Sequence, residues 1–142
     1  GIVHWPAGLE VEPGTIVHEP AHLIDLMPTA IAVSGAEYRG SLSLPGVDLV
    51  AQLHSGVGAD RVLFFEHQGN RAVRSGKWKL VALDDQPWEL YDLSVDRTET
   101  NDLSNAHHEL VKQFEAEWEK WGAENQVTPL PRDLGVRYLK AD

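Results

Sequence analysis

Five polar side chains that could take part in chemistry lie within nine positions of one another: Glu66, His67, Asn70, Arg71 and Arg74. Histidine and asparagine offer neutral donors and acceptors, and arginine presents a planar array of N–H donors. Such groups can bind an anionic or hydroxyl-rich substrate. The same segment contains no serine, threonine or cysteine nucleophile, and no complete catalytic set is found elsewhere in the chain. The cluster therefore indicates substrate contact, and no residue is assigned a catalytic role.

The cluster lies in a predicted antiparallel meander. Short β-rich runs alternate with turn residues, which is typical of strands joined by hairpins. The predicted strands are Val62–Glu66, Arg71–Arg74, Lys77–Leu83 and Trp88–Leu93, and the predicted turns are 68–70, 75–76 and 84–87. A turn at 68–70 would bring His67 and Asn70 to the tip of the first hairpin.

An amphipathic helix follows the meander. Leu110, Phe114, Trp118 and Trp121 recur at helical spacing and form one apolar stripe. We expect Ser104 or Asn105 to cap this helix and Gly122 to end it. The sequence thus predicts an α+β fold: a small antiparallel sheet of three to four strands packed against a C-terminal amphipathic helix, preceded by a strand-helix remnant of a larger α/β domain.

The first sixty residues have a different pattern. Ile2–Trp5 is a short β-type run stopped by Pro6, and 20–34 has helical spacing that Pro28 interrupts. We expect Asp25 to cap the helix restarting at Pro28, and a short helical turn near 47–53. The predicted organisation is 1–60 as the end of an α/β domain, 61–125 as the sheet-plus-helix subdomain, and 126–142 as an extended tail.

Composition excludes several classes of partner. The 142 residues carry a formal net charge of -10, which disfavours nucleic acid and anionic membrane surfaces because both require clustered basic residues. No apolar run is long enough for a transmembrane helix, and the N-terminus lacks the pattern of a signal peptide. With no cysteine, a disulfide framework and a thiolate metal site are both excluded.

Two patterns could suggest a metal site. Asp84-Asp85 follows an apolar run, but calcium needs six to eight oxygen ligands, and Gln86-Pro87 favours a β-turn. His18 and His22 have i, i+4 spacing, but Pro20 lies between them and no H-E-x-x-H pattern is present. We assign no metal ligand in this chain.

Three blocks of sequence, in order, resemble the C-terminal third of type I sulfatases of the arylsulfatase group. They are Ile24-Asp25-Leu26-Met27-Pro28-Thr29, then Arg74-Ser75-Gly76-Lys77-Trp78-Lys79-Leu80, then Glu89-Leu90-Tyr91-Asp92-Leu93 with the following Glu99-Thr100-Asn101-Asp102-Leu103. The resemblance covers about residues 1–121. It implies an alkaline-phosphatase-like enzyme that hydrolyses sulfate esters, with a C-terminal sheet and helix closing one side of the cleft.

The resemblance also implies cofactors and partners that this chain does not itself supply. The family uses calcium and a formylglycine made from the first residue of a C/S-x-P-x-R motif. The nearest imitation here, Ser43-Leu44-Pro45-Gly46-Val47, has valine in place of the arginine and is interpreted as a loop. We therefore expect the chain to be inactive alone and to need an N-terminal catalytic domain. Without that domain, exposed apolar surface would favour a homodimer. The resemblance favours a periplasmic or secreted location.

The resemblance implies that the hairpin faces the mouth of the cleft. His67, Asn70 and Arg71 are the predicted substrate-binding residues, contacting the organic part of the ester. A structural alternative is that Arg74 pairs with Glu66 or Asp92 and that His67 simply occupies a turn. Two other functions stay open: a carbohydrate-binding or interaction module using its tryptophans, and the tail of a related phosphoester or phosphonate hydrolase.

Overall fold

The computed structural model describes residues 1–56, 58, 61–84 and 86–127. The chain divides into two compact units, Gly1–Ala59 and Asp60–Asp142, called here the N-terminal and C-terminal units. The predicted tail lies almost entirely outside the described residues. That the N-terminal unit is the end of a sulfatase α/β domain stays a prediction.

The N-terminal unit contains two short α-helices. A 3-10 turn, Leu23–Asp25, leads directly into α1, Leu26–Ser34, and α2 spans Leu49–Ser55. Pro28 lies in the first turn of α1, where its missing N–H has no intrahelical partner to lose. Gly35 ends α1 with φ 65°, a left-handed conformation that glycine adopts without a steric penalty. The restart at Pro28, the stop at Gly35 and the short helix near 47–53 are thus confirmed.

The strand predicted at Ile2–Trp5 is not formed. Trp5 instead begins a turn, with its carbonyl accepting from the backbone N–H groups of Gly8 and Leu9. Its two bonds are local, and no strand is present in the described residues before Val62 to pair with it. The β-type composition of this run therefore did not determine its structure.

The C-terminal unit is a four-stranded antiparallel sheet with one long helix. The strands are β1 Val62–His67, β2 Asn70–Ser75, β3 Trp78–Ala82 and β4 Glu89–Asp92, in the order β1-β2-β3-β4. Helix α3, His108–Glu124, packs Phe114 against Val73, Leu80 and Leu90, which are fully buried. The predicted α+β fold with its C-terminal amphipathic helix is confirmed.

The ends of α3 differ from the prediction. Its N-cap is His107, without a side-chain cap, because the Ser104 hydroxyl donates to the Asp102 carboxylate and is used within the preceding loop. Gly122 lies inside the helix and is buried. A Cβ on Gly122 would lie 3.7 Å from both Trp118 and Val127, an ordinary van der Waals distance, so packing does not require glycine at this position.

Candidate functional site

The β1–β2 hairpin brings His67 and Asn70 opposite each other at its tip. Their Cα atoms are register partners, and Gln68 and Gly69 form the two-residue turn between them. Both turn residues have positive φ, 53° and 87°, as a type I′ turn requires. The Glu66 carboxylate accepts a hydrogen bond from the Gly69 N–H at 2.9 Å, which closes the tip.

His67 is the predicted site residue whose side chain is unengaged. The residue is exposed, and within the described part of the chain its imidazole makes no hydrogen bond, ion pair or ring contact. A neutral imidazole carries one donor and one acceptor nitrogen. Both are therefore available to a bound molecule.

Asn70 has both ends of its side-chain amide bonded within the unit. Its Nδ2 donates to the His67 carbonyl at 3.0 Å, and its Oδ1 accepts from the Asp84 N–H at 3.2 Å. The side chain thus bridges the end of β1 and the loop between β3 and β4. Its predicted contact with substrate remains untested.

Arg71 lies close to two tryptophan rings. Its guanidinium carbon lies 4.5 Å from the centre of Trp88 and 5.5 Å from that of Trp118, and Nη2 donates to the Asp84 carbonyl at 3.4 Å. Cation–π contacts of this kind are worth about 0.5–2 kcal/mol each. Arg71 therefore has a structural environment of its own, and its predicted substrate contact also remains untested.

The two rings are themselves fixed by hydrogen bonds. Trp88 Nε1 donates to Glu115 Oε1 at 2.9 Å, and Trp118 Nε1 donates to the Phe65 carbonyl at 3.0 Å. The ring centres are 6.2 Å apart in an edge-to-face arrangement. With Trp78, both rings pack against the buried core. These tryptophans therefore belong to the sheet–helix interface.

Arg74 does not form either of the ion pairs considered for it. Glu66 accepts from Gly69, Asp92 pairs with Lys77 at 2.6 Å, and neither contacts Arg74 within the described ranges. Arg74 lies three residues after Arg71 and so on the opposite face of β2. The five polar residues that are neighbours in sequence are thus divided between two faces of the hairpin.

Sequence reasoning missed Asp84 as a partner of the hairpin. Asp84 lies in the loop after β3 with φ 44°, and its backbone N–H and carbonyl bond Asn70 and Arg71 respectively. The turn at 84–87 was recognisable from the sequence, but a backbone partner carries no side-chain signal. Only the register of three strands reveals it.

The segments considered for a cofactor do not fit one. Residues 1–56, 58, 61–84 and 86–127 contain no group of three or more His, Asp or Glu side chains placed to hold a metal ion. Asp84 belongs to the loop just described, and Asp85 lies outside the described residues. The Val47 N–H, in the imitation of the C/S-x-P-x-R motif, donates to Asp25 Oδ1 at 3.0 Å.

Asp25 has a role different from the one predicted. It precedes α1, but its carboxylate forms no cap bond to that helix. The side chain is fully buried and accepts from the backbone N–H groups of His22, at 2.7 Å, and Val47, at 3.0 Å. Asp25 therefore completes a capping box with His22 at the start of the 3-10 turn and joins this turn to the loop at Val47, whereas the predicted side-chain cap of the helix containing Pro28 is wrong.

Charged side chains support β3 and β4. Lys77 donates to Asp92, and this bond, with one from Ser94, lowers the pKa of Asp92 below its usual value. Lys79 donates to both oxygens of Glu99 at 2.6 and 2.7 Å. Burial and a hydrogen bond to Glu89 raise the pKa of Tyr91 to about 12. Each of these groups is bonded to a partner within the C-terminal unit, and these bonds give it a structural role.

Comparison with known proteins identifies relatives. No protein-family model matches the chain. The chain is 32% identical over 77 residues to steryl-sulfatase of Mus musculus, covering 54% of this chain and 12% of that protein. It is 39% identical over 85 residues to arylsulfatase A of Bos taurus, covering 55% and 16% respectively. The chain thus spans about an eighth to a sixth of the length of these relatives.

A solved structure extends the similarity over most of the chain. The crystal structure of Ps i-CgsB matches with a TM-score of 0.75 and 27% identity, covering 87% of this chain and 28% of that one. The same protein has been solved in complex with k-i-k-neocarrahexaose. None of the helices in the described part of this chain is long and apolar enough to cross a membrane. On these matches the chain is similar to sulfatases, and it resembles the C-terminal part of an alkaline-phosphatase-like sulfatase.

Proposed function

We propose that this chain forms one wall of the substrate cleft in a complete sulfatase, with His67 contacting the organic part of a sulfate ester. The observation that carries the proposal is the unengaged, exposed imidazole at a hairpin tip whose turn is closed by Glu66. A rigid tip that presents one free donor and acceptor can recognise a hydroxyl or ether oxygen. Asn70 and Arg71 stay predicted contacts. Because their side chains are already bonded within the unit, His67 is the residue on which the proposal depends.

Catalysis itself is assigned to a separate domain of the complete protein. The described residues provide no metal site, and the sequence has no C/S-x-P-x-R motif. The relatives of which this chain spans 12% and 16% are sulfatases. Calcium, formylglycine and the residues that handle the sulfate would belong to the N-terminal catalytic domain. A periplasmic or secreted location is part of the same proposal.

The exposed apolar surface of α1 supports the proposal that another domain covers this helix in the complete protein. The helix buries none of its residues, its Leu26 and Met27 are 58% and 55% exposed, and Leu23 in the preceding 3-10 turn is 80% exposed. A helix that is apolar on all sides is normally covered by other protein. We propose that the catalytic domain covers it, and that the isolated chain forms a homodimer through this surface. Light scattering that shows a monomer at high concentration contradicts the dimer.

The inactivity of the isolated chain has a direct test. We expect no turnover of an aryl sulfate by residues 1–142 alone, even with calcium added. The matched control is the complete sulfatase at the same concentration. Turnover by the isolated chain above that of buffer would contradict the assignment of catalysis to another domain.

His67→Ala in the complete sulfatase tests the substrate contact. Loss of a hydrogen bond to substrate should lower kcat/KM about 10-fold, with the size depending on the ester's organic part. An aryl sulfate and a sulfated oligosaccharide give two different organic parts. His108→Ala, which removes another exposed imidazole, is the matched control. An unchanged kcat/KM for both esters in His67→Ala would overturn the proposal.

A further inference from the structure

We infer that Asn70 and Arg71 form a latch that fixes the hairpin tip to the β3–β4 loop and thereby positions His67. The latch is defined by Asn70, Arg71 and the Asp84 backbone, with Trp88 and Trp118 lying close to the arginine. The inference rests on the proposed role of His67 in substrate contact. It makes Asn70 and Arg71 positioning residues.

The first half of the latch lies beyond the last rung of the sheet. Arg71↔Ala82 is the end of the β2–β3 pairing, so Asn70 has no register partner on β3. Its side chain takes over that role, since Oδ1 accepts from the Asp84 N–H while Nδ2 donates to the His67 carbonyl. One amide group therefore connects β1, β2 and the loop after β3.

The second half of the latch is Arg71. Its Nη2 donates to the Asp84 carbonyl, and its guanidinium carbon lies 4.5 Å from the ring centre of Trp88 and 5.5 Å from that of Trp118. Its Nε is buried without a hydrogen-bond partner, which fits a guanidinium held by ring faces. Asp84 is thus held through both of its backbone polar groups, by two consecutive residues of β2.

The latch has a consequence for His67. The residue ends β1, the edge strand, and only β2 pairs with it. The bond from Asn70 to the His67 carbonyl is therefore an added restraint on the backbone that carries the imidazole. His67 and Asn70 share one face of the hairpin, whereas Arg71 lies on the face toward α3. Opening the latch frees the tip without changing any atom of the imidazole.

Hydrogen exchange of the full chain tests the latch itself. Asn70→Ala should speed exchange of the Asp84 N–H about 2- to 10-fold, since one modest hydrogen bond is lost, and should leave the Leu80 region unchanged. Arg71→Lys keeps the charge and loses the guanidinium that donates to the Asp84 carbonyl, so it should act in the same direction. Lys112→Ala on α3 is the matched control, because Lys112 pairs with the exposed Glu109 and does not belong to the latch. Unchanged exchange at Asp84 in both latch variants overturns the inference.

A double-mutant cycle in the complete sulfatase tests the positioning role. Asn70→Ala should lower kcat/KM about 2- to 10-fold with His67 present and have almost no effect in the His67→Ala background. Asn70→Asp, which keeps an oxygen for the Asp84 N–H, should recover part of the loss and serves also if the alanine variant folds poorly. An equal loss in both backgrounds overturns positioning and leaves the role of His67 intact. A His67→Ala variant without effect overturns the proposed function and the positioning role together.

Discussion

The two units of the chain differ in what they bury. In the C-terminal unit Val73, Leu80 and Leu90 are fully buried and Phe114 is 4% exposed, so an apolar cluster joins the sheet to α3. Among residues 1–56 and 58, the buried side chains are Asp25 and Gln52, both polar. One unit is organised by hydrophobic burial, and the other by hydrogen bonds that a buried carboxylate accepts.

The difference indicates which unit is self-sufficient. Burial of apolar surface is the main favourable contribution to folding, and each fully buried leucine or phenylalanine contributes about 1.5–3 kcal/mol. The C-terminal unit has this contribution within itself. The N-terminal unit exposes its apolar side chains on α1 instead and lacks an equivalent core in the residues described. Its stability should therefore depend on cover from elsewhere.

The largest expected effect is in the C-terminal core. Leu80→Ala should destabilise the C-terminal unit by about 2–5 kcal/mol, because a cavity forms where β3 faces α3. Leu26→Ala, which removes the same atoms from a 58% exposed position on α1, should change the stability of the isolated chain by less than about 0.5 kcal/mol. Urea unfolding followed by circular dichroism measures both. Equal destabilisation by the two substitutions would refute the comparison.

A smaller effect is expected at the polar centre of the N-terminal unit. Asp25→Ala removes the carboxylate that accepts from the part-buried N–H groups of His22 and Val47, at a cost of about 0.5–1.5 kcal/mol for each hydrogen bond lost. Amide hydrogen exchange should accelerate at Val47 and stay unchanged in β2 and β3. Asp48→Ala, which removes the N-cap bond to Val50 in the same unit, is the matched control and should act on α2. If the Val47 amide keeps its protection from hydrogen exchange in Asp25→Ala, the carboxylate does not hold this loop.

The sequence predicted the self-sufficient unit far better than the other. The stripe of Leu110, Phe114 and Trp118 and the four β-rich runs were recognisable because local periodicity reports directly which side chains are buried. In the N-terminal unit the β-type run at Ile2–Trp5 gave a turn, since a strand needs a partner that composition does not provide. The Asp25 prediction failed for a related reason. Its partner Val47 is 22 residues away, and no local pattern encodes that contact.

The candidate site shows the same limit. The sequence placed His67 and Asn70 at a hairpin tip because Gln68-Gly69 is a turn signal. It could not show that Asn70 and Arg71 both reach Asp84, because this depends on the register of β2 against β3. The sequence therefore predicted substrate contact for His67, Asn70 and Arg71 alike, whereas the structure gives each of them different contacts.

The free energy of unfolding should depend on pH in the alkaline range because of Tyr91 in the C-terminal unit. Burial and the bond to Glu89 raise the pKa of Tyr91 to about 12, above the ordinary value of 10.0. The folded state thus favours the neutral phenol, and this contribution to stability is complete below about pH 10 and decreases toward about pH 12. The free energy of unfolding should fall over this interval, and less steeply in Tyr91→Phe. Tyr38→Phe, in the N-terminal unit, is the control. The same slope in Tyr91→Phe and in the unmodified chain would exclude the effect.

The smallest expected effect is the contribution of Asp92 to the acid dependence of the melting temperature. The bond from Lys77, followed by that from Ser94, lowers the pKa of Asp92 below 3.8 in the folded chain. A lowered carboxyl pKa stabilises the folded state above about pH 4, and this contribution is lost as the pH falls through the folded value. The melting temperature of the C-terminal unit should therefore decrease less on acidification in Asp92→Asn. Glu37→Gln, which removes a fully exposed ion pair with Arg39 in the other unit, should leave the acid dependence unchanged. The prediction is contradicted if the melting temperature loses its dependence on acid in Glu37→Gln and keeps it in Asp92→Asn.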